Sequence, residues 1–399
     1  MNKLIVLTSC VILFLCCSSF NEQQQSSSIS DAKLVLGAER TAEYLPLLKD
    51  KKVALMVNQT STIGATHLVD SLLALGIDLV TVFAPEHGFR GEYSDGATVH
   101  GGIDEQTGVK ITSLYGKNKR MQPQMLEGID VLLFDIQDVG VRFYTFISSM
   151  HYAMQACAKS GKRFIVLDRP NPNGFYVDGP VLDLKYQSFI GVHPIPVVHG
   201  LTVGELAQMI NGESWLGEDL RCELTVVSCL NYSHDILYQL PIRPSPNLPN
   251  MNSVYLYPFL GLFEGTNVSV GRGTETPFQI LGRPGFKGVE YFTPQSLPGV
   301  SDKPKHMGEL CGGIVITDAV DSSLFENPRL NLSYLLLFSE TNNEEVNGSF
   351  FRSYINKLIG NEEFKLQIAR GETEDEIRAS WSPKLEQYKE LRKLYLLYP

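Results

Sequence analysis

The chain has 399 residues, 43% of them hydrophobic and 20% charged, enough for two globular domains of ordinary size. Thirty-four Lys and Arg stand against 44 Asp and Glu, for a net charge of −10. No basic run appears, which excludes a nucleic acid partner.

The first 17 residues read as an export segment. Lys3 supplies a positive charge, and residues 4–15 form an apolar run too short to span a bilayer. Cys16-Cys17-Ser18-Ser19 follows, the pattern of a bacterial lipoprotein lipidated at Cys16 or Cys17. A protein anchored to a membrane in this way is periplasmic or held at the outer membrane. The Gln- and Ser-rich stretch 18–30 cannot bury a core and reads as a tether. Of the other cysteines, Cys157 reads as a small buried hydrophobe, and no Cys-x-x-Cys pair suggests zinc. Six strand-like residues between Cys222 and Cys229 would hold them too far apart for a disulfide.

From residue 35 short apolar runs alternate with helical patterns. Residues 52–58 read as a strand, 66–75 as a helix and 78–83 as a second strand. Residues 130–135 are apolar without alternation, as in a strand covered on both faces. A helix at 146–160 and a strand at 163–168 complete a βαβα order, which predicts a parallel, doubly wound sheet. No G-x-G-x-x-G fingerprint accompanies it, so no dinucleotide is implied, and no other cofactor is expected.

Each strand exits into polar residues: Asn58-Gln59-Thr60, Glu86-His87, Asp135-Ile136-Gln137-Asp138 and Asp168-Arg169. Ligands bind at the carboxyl ends of strands in open α/β sheets. The densest exit is Pro85-Glu86-His87-Gly88-Phe89-Arg90-Gly91, with a carboxylate, an imidazole and a guanidinium in five residues. The string 135–146 adds Arg142 and Tyr144. Asp138 also fits a cap or turn, and Arg142 a partner for one of those carboxylates. Thr202-x-x-Glu205 is a capping box, so Glu205 reads as structural.

Pro241, Pro244, Pro246 and Pro249 mark a rigid connector, and the domain boundary is placed there: 31–240, then 241–399. Beyond it, residues 263–274 interleave glycines with Glu264, Asn267, Ser269 and Arg272, as in a ligand-facing loop without a Walker ending. A strand at 313–317, a helix at 350–359 and a Glu-rich helix start at 373–379 follow. Trp381-Ser382-Pro383 separates that start from a last Tyr- and Leu-rich helix.

Four strings, 85–91, 134–145, 168–172 and 264–274, together resemble the exo-β-N-acetylmuramidases, bacterial secreted proteins long catalogued as a domain of unknown function. The resemblance implies a Rossmann-like N-terminal domain, a smaller α+β C-terminal domain and an active-site cleft between them. It also implies release of terminal N-acetylmuramic acid from the non-reducing ends of peptidoglycan fragments, so muramyl saccharides are the expected partners. Glycoside hydrolysis needs an acid to protonate the leaving oxygen and a second group to assist attack. Glu86 is the expected acid, with His87 orienting it or touching the sugar. Asp135 and Asp138 are candidates for the second carboxylate, with Glu264 a third from across the cleft. The lactyl carboxylate calls for an arginine fork. Arg90, Arg142, Arg169 and Arg272 are available, and Arg272 or Arg142 is favoured. Asn58, Gln137, Tyr144, Asp168, Asn171 and Asn267 complete the expected sugar contacts. The alternatives are a non-catalytic sugar-binding lipoprotein, and a metal-dependent hydrolase ligated by Glu86, His87, Asp135 and Asp138.

Overall fold

The computed structural model describes residues 33–86, 88–90, 101–114, 116, 119–316, 320 and 322–399. His87 and the leader, with Cys16 and Cys17, lie outside them. Residues Leu34–Pro399 form one compact unit.

The first half contains α1 (Thr41–Leu48), β1 (Val53–Val57), a hairpin of β2 (Thr62–Ile63) and β3 (Thr66–His67), α2 (Leu68–Ala74) and β4 (Leu79–Ala84). Then follow β5 (Gly102–Ile103), β6 (Lys110–Ser113), β7 (Val131–Asp135), α3 (Phe146–Ser160), β8 (Arg163–Leu167), α4 (Val203–Gly212) and β9 (Glu223–Val227). Seven strands make one sheet in the order β5-β6-β4-β1-β7-β8-β9, parallel except for the β5–β6 pair. With β5 set aside, the six parallel strands run third, second, first, fourth, fifth, sixth. That is the doubly wound Rossmann order, with its reversal at β1.

Strand composition explains the layering. Every residue of β1 and of β7 is buried. Alternate side chains point to opposite faces. Ala54, Met56, Leu132, Phe134, Phe164 and Val166 pack toward α3 and α4. Val53, Leu55, Val57, Leu133, Ile165 and Leu167 pack toward α1 and α2.

The second part holds α5 (Met251–Leu260), β10 (Ile280–Arg283), β11 (Glu290–Phe292), β12 (Cys311–Val315), α6 (Ser322–Glu326), α7 (Ser333–Glu340), α8 (Glu344–Asn347), α9 (Ile355–Ile359), α10 (Glu363–Ala369) and α11 (Glu374–Lys393). The strands form a small antiparallel sheet, β10-β12-β11. Its core, with Phe263, Phe278, Phe338 and Phe364, is continuous with the α3/α4 layer of the large sheet.

Three local expectations need correction. The helix expected at 66–75 begins only at Leu68, because Thr66 and His67 pair with Ile63 and Thr62 and the His67 ring caps Val69 N. The helix expected at 350–359 is confined to Ile355–Ile359. The two C-terminal helices are one: α11 runs through Pro383, its face held down by Ile377, Trp381, Leu385 and Tyr388. Tertiary packing there outweighs the hydrogen bond that proline removes. The capping box at α4 is present in both directions between Thr202 and Glu205. Cys157, Cys222, Cys229 and Cys311 are buried free thiols.

Candidate active site

A cleft of about 640 Å³ opens where β4 ends and α3 begins. Its lining comes from both parts of the chain: Glu86, Tyr144 and Thr145 on one side, Tyr257, Glu264, Arg272 and Tyr354 on the other. The volume lies within the usual range for small-ligand pockets.

Pro85 ends β4 and turns Glu86 outward from the sheet edge. Glu86 is half-buried and lines the cleft. Thr145 occupies the N-cap position of α3 without capping it, and its hydroxyl instead donates to Glu86 Oε2 at 3.3 Å. Tyr144 stands beside it, its hydroxyl donating to Pro244 O at 2.8 Å. Aromatic edges continue across the cleft. Tyr257 meets Phe143 at 5.5 Å, Tyr144 at 5.8 Å and Phe278 at 5.0 Å. Burial raises the Tyr144 and Tyr257 phenols, and the charges of Glu86 and Asp138 add to the effect. These hydroxyls therefore remain neutral donors.

On the far side, Arg272 Nε donates to Glu264 Oε1 at 2.7 Å while its guanidinium lies 4.9 Å from the Phe278 ring centre. Burial raises the Glu264 carboxyl against the pull of Lys305 and Arg352. Burial likewise pulls the Arg272 guanidinium down, opposed by Glu86 and Tyr354. Of residues 263–274, Glu264 and Arg272 thus line the cleft. Asn267 of the same stretch turns inward, held by Asn342, Asn347 and Arg283.

Most of the other strand-exit residues build scaffold. Asp135 is fully buried and grips Arg169 through two bonds, Nε to Oδ1 at 2.5 Å and Nη2 to Oδ2 at 2.9 Å. Neither residue lines the cleft. The second-carboxylate role therefore does not fit Asp135, and the lactyl role does not fit Arg169. Asp138 lies below the surface, accepting from Gly140 N at 2.7 Å, with His199 Nε2 3.4 Å away. Gly140 has φ +76°, and a Cβ there would collide with the Asn171 amide, so the turn admits only glycine. Asn171 itself bonds Leu201 O and Asn173 N.

Arg142 is wholly buried and donates to the carbonyls of Pro180, Ile195 and Leu358. It ties the first half of the chain to α9 and is not a clamp for substrate. Asn58 accepts from Thr60 within its own turn, Gln137 donates to Asp138 O and Pro170 O, and Arg90 pairs with Asp104 and Asp70 away from the cleft. Asp168 is buried beneath α4, accepting from Thr202 Oγ1, Gly204 N, Arg169 N and Tyr398 Oη, and burial raises its carboxyl to about 6. Of the expected site residues, Glu86, Tyr144, Glu264 and Arg272 meet at the cleft. His87 lies outside the described residues. Among the described residues no group of three or more His, Cys, Asp or Glu side chains could hold a metal ion.

Sequence reasoning passed over Tyr257, Tyr354, Asp302, and Ser245 and Asn247 of the proline-rich stretch. That stretch is more than the connector its prolines predict, since Ser245, Asn247 and Leu248 form part of the cleft wall. Its prolines do carry a signal, since a rigid segment pinned by Gln59 and Tyr144 suits a fixed binding surface.

The geometry is that of a doubly wound α/β protein whose ligand cleft is closed by a second, α+β part. Residues 53–252 match the family model described as Exo-beta-N-acetylmuramidase NamZ, N-terminal, and residues 255–398 match its C-terminal counterpart. The chain belongs to this exo-β-N-acetylmuramidase family. A peptidoglycan beta-N-acetylmuramidase NamZ of Bacillus subtilis (strain 168) is 40% identical over 380 residues, 89% of each chain. The crystal structure of a DUF1343 family protein from Bacteroides fragilis aligns with TM-score 0.84 at 44% identity, covering 92% of this chain and 99% of that one. A second such protein from the same organism gives TM-score 0.77 at 28% identity, with the same coverage.

Proposed function

We propose that this chain is an exo-acting glycoside hydrolase that releases terminal β-linked N-acetylmuramic acid from the non-reducing end of peptidoglycan fragments. The observation that carries the reading is the cleft itself. It presents Glu86 from one half and the Glu264–Arg272 pair from the other, in a chain 40% identical to a peptidoglycan β-N-acetylmuramidase. Glu86 is the general acid. Its proton passes to the glycosidic oxygen as the C1–O bond breaks, and the water that adds at C1 gives up a proton to a carboxylate of the cleft. Glu264 is the second carboxylate of the cleft. Arg272 reads the lactyl carboxylate, a role that the burial of Arg142 leaves to it. The rings of Phe143, Tyr144, Tyr257 and Phe278 give the sugar an apolar wall.

The test is turnover of a chromogenic β-N-acetylmuramide beside the matching β-N-acetylglucosaminide. Release from the muramide alone is expected. Arg272→Met raises KM for the muramide about 10- to 100-fold, the loss of one charge-assisted fork. A folded protein inactive on the muramide overturns the reading.

We propose in addition that the chain is exported and carries a lipid anchor on Cys16 or Cys17. Feeding cells a fatty-acid analogue should label the protein, with the label lost in either Cys16→Ser or Cys17→Ser. A membrane-free, unlabelled wild-type chain would refute the anchor.

A further inference from the structure

The cleft does not stop at Arg272. Glu264, Arg272, Ser301 and Lys303 line it and also line an adjoining cavity of about 560 Å³. Lys305 and Arg352 bring further positive charge to this annex, with His306 beside them, set against Glu264 and Glu309. In a chain of net charge −10 that is a local inversion of sign. A cavity lined by one sign of charge concentrates ligands of the other.

The basic residues differ in what they do. Lys305 is spent on the fold: Nζ donates to the carbonyls of Phe263, Thr266 and Val268. His306 Nε2 lies 2.6 Å from Asn267 O. Lys303 and Arg352 are exposed at the mouth, and their side chains make no hydrogen bond or ion pair among the described residues. Both line the annex with Arg272, whereas Glu86 lines the cleft alone. A lone carboxylate at Arg272 needs only a small part of that space.

We propose that the annex receives a carboxylate-bearing peptide joined by an amide to the lactyl group of the sugar in the cleft, with Lys303 and Arg352 reading its acidic groups. The inference rests on the muramidase reading. Amide formation removes the lactyl charge that Arg272 faces, and the annex cations restore a charge partner further out. The enzyme thereby accepts saccharides that still carry a short acidic stem.

Three chromogenic β-N-acetylmuramides test this: one with a free lactyl group, one bearing L-alanyl-D-glutamate, and one bearing the same dipeptide with both carboxyls converted to amides. The acidic dipeptide compound should exceed its neutral twin about tenfold in kcat/KM at low salt, as two exposed ion pairs together allow. The ratio should shrink as ionic strength rises. It should fall toward one in Arg352→Ala and in Lys303→Ala, whose circular dichroism spectra and melting report that they are folded. Equal handling of the two dipeptide compounds, or turnover of the free-lactyl compound alone, overturns the annex and leaves the muramidase reading standing. Failure of all three compounds refutes the muramidase reading and the annex with it.

Discussion

Glu86→Gln is expected to slow hydrolysis of a muramyl disaccharide about a thousandfold, the usual worth of a positioned general acid. The same change should cost far less on a nitrophenyl muramide, because a nitrophenolate departs without needing a proton. That contrast assigns the role. A nucleophile or base at Glu86 would make both substrates suffer alike. Glutamine keeps the size of the side chain and still accepts from the Thr145 hydroxyl, so the fold is not at stake. Kinetics with the two leaving groups, side by side, are the measurement. Equal losses would move Glu86 out of the acid role, and no loss would remove it from the chemistry.

Asp135→Asn should lower stability by about 3–5 kcal/mol, since it strands the buried Arg169 guanidinium without its counter-charge. Urea unfolding followed by circular dichroism measures this. The double variant Asp135→Leu/Arg169→Met should recover part of the loss, because an apolar pair of similar volume asks for no desolvation of charge. Had Asp135 served the reaction, Asp135→Asn would abolish turnover in a protein that melts normally.

The sheet was legible in the sequence because buried parallel strands write unbroken apolar runs, and β1, β4, β7 and β8 all fall within a residue or so of the runs that announce them. Glu86 was legible for the same reason, as the carboxylate directly after such a run and a proline. Asp135 and Asp168 follow equally good runs, yet their carboxylates face inward. What separates them from Glu86 is a partner far along the chain: Arg169 for Asp135, Tyr398 for Asp168. Local pattern cannot distinguish a polar residue satisfied by a distant one from a polar residue waiting for ligand. Arg142 misled in the same way, since its three carbonyl partners lie as far away as Leu358. Tyr257 sits in an apolar helix and Tyr354 among polar residues just before α9, and nothing in their spacing marks either as a cleft residue.

The helix α11 and the residues after it reach back to the first half at several points. Tyr388 donates to His199 O, Arg392 to Gly200 O, Leu397 N to Glu205, and Tyr398 to Asp168. Asp168 in turn caps α4 beside the sheet. On the ribosome this has a consequence in time. The carboxyl edge of the sheet, complete in sequence by β9, must wait for residue 398 before its buried carboxylate has all its donors. The first half therefore lacks part of its buried polar network until the last residues of the chain are in place.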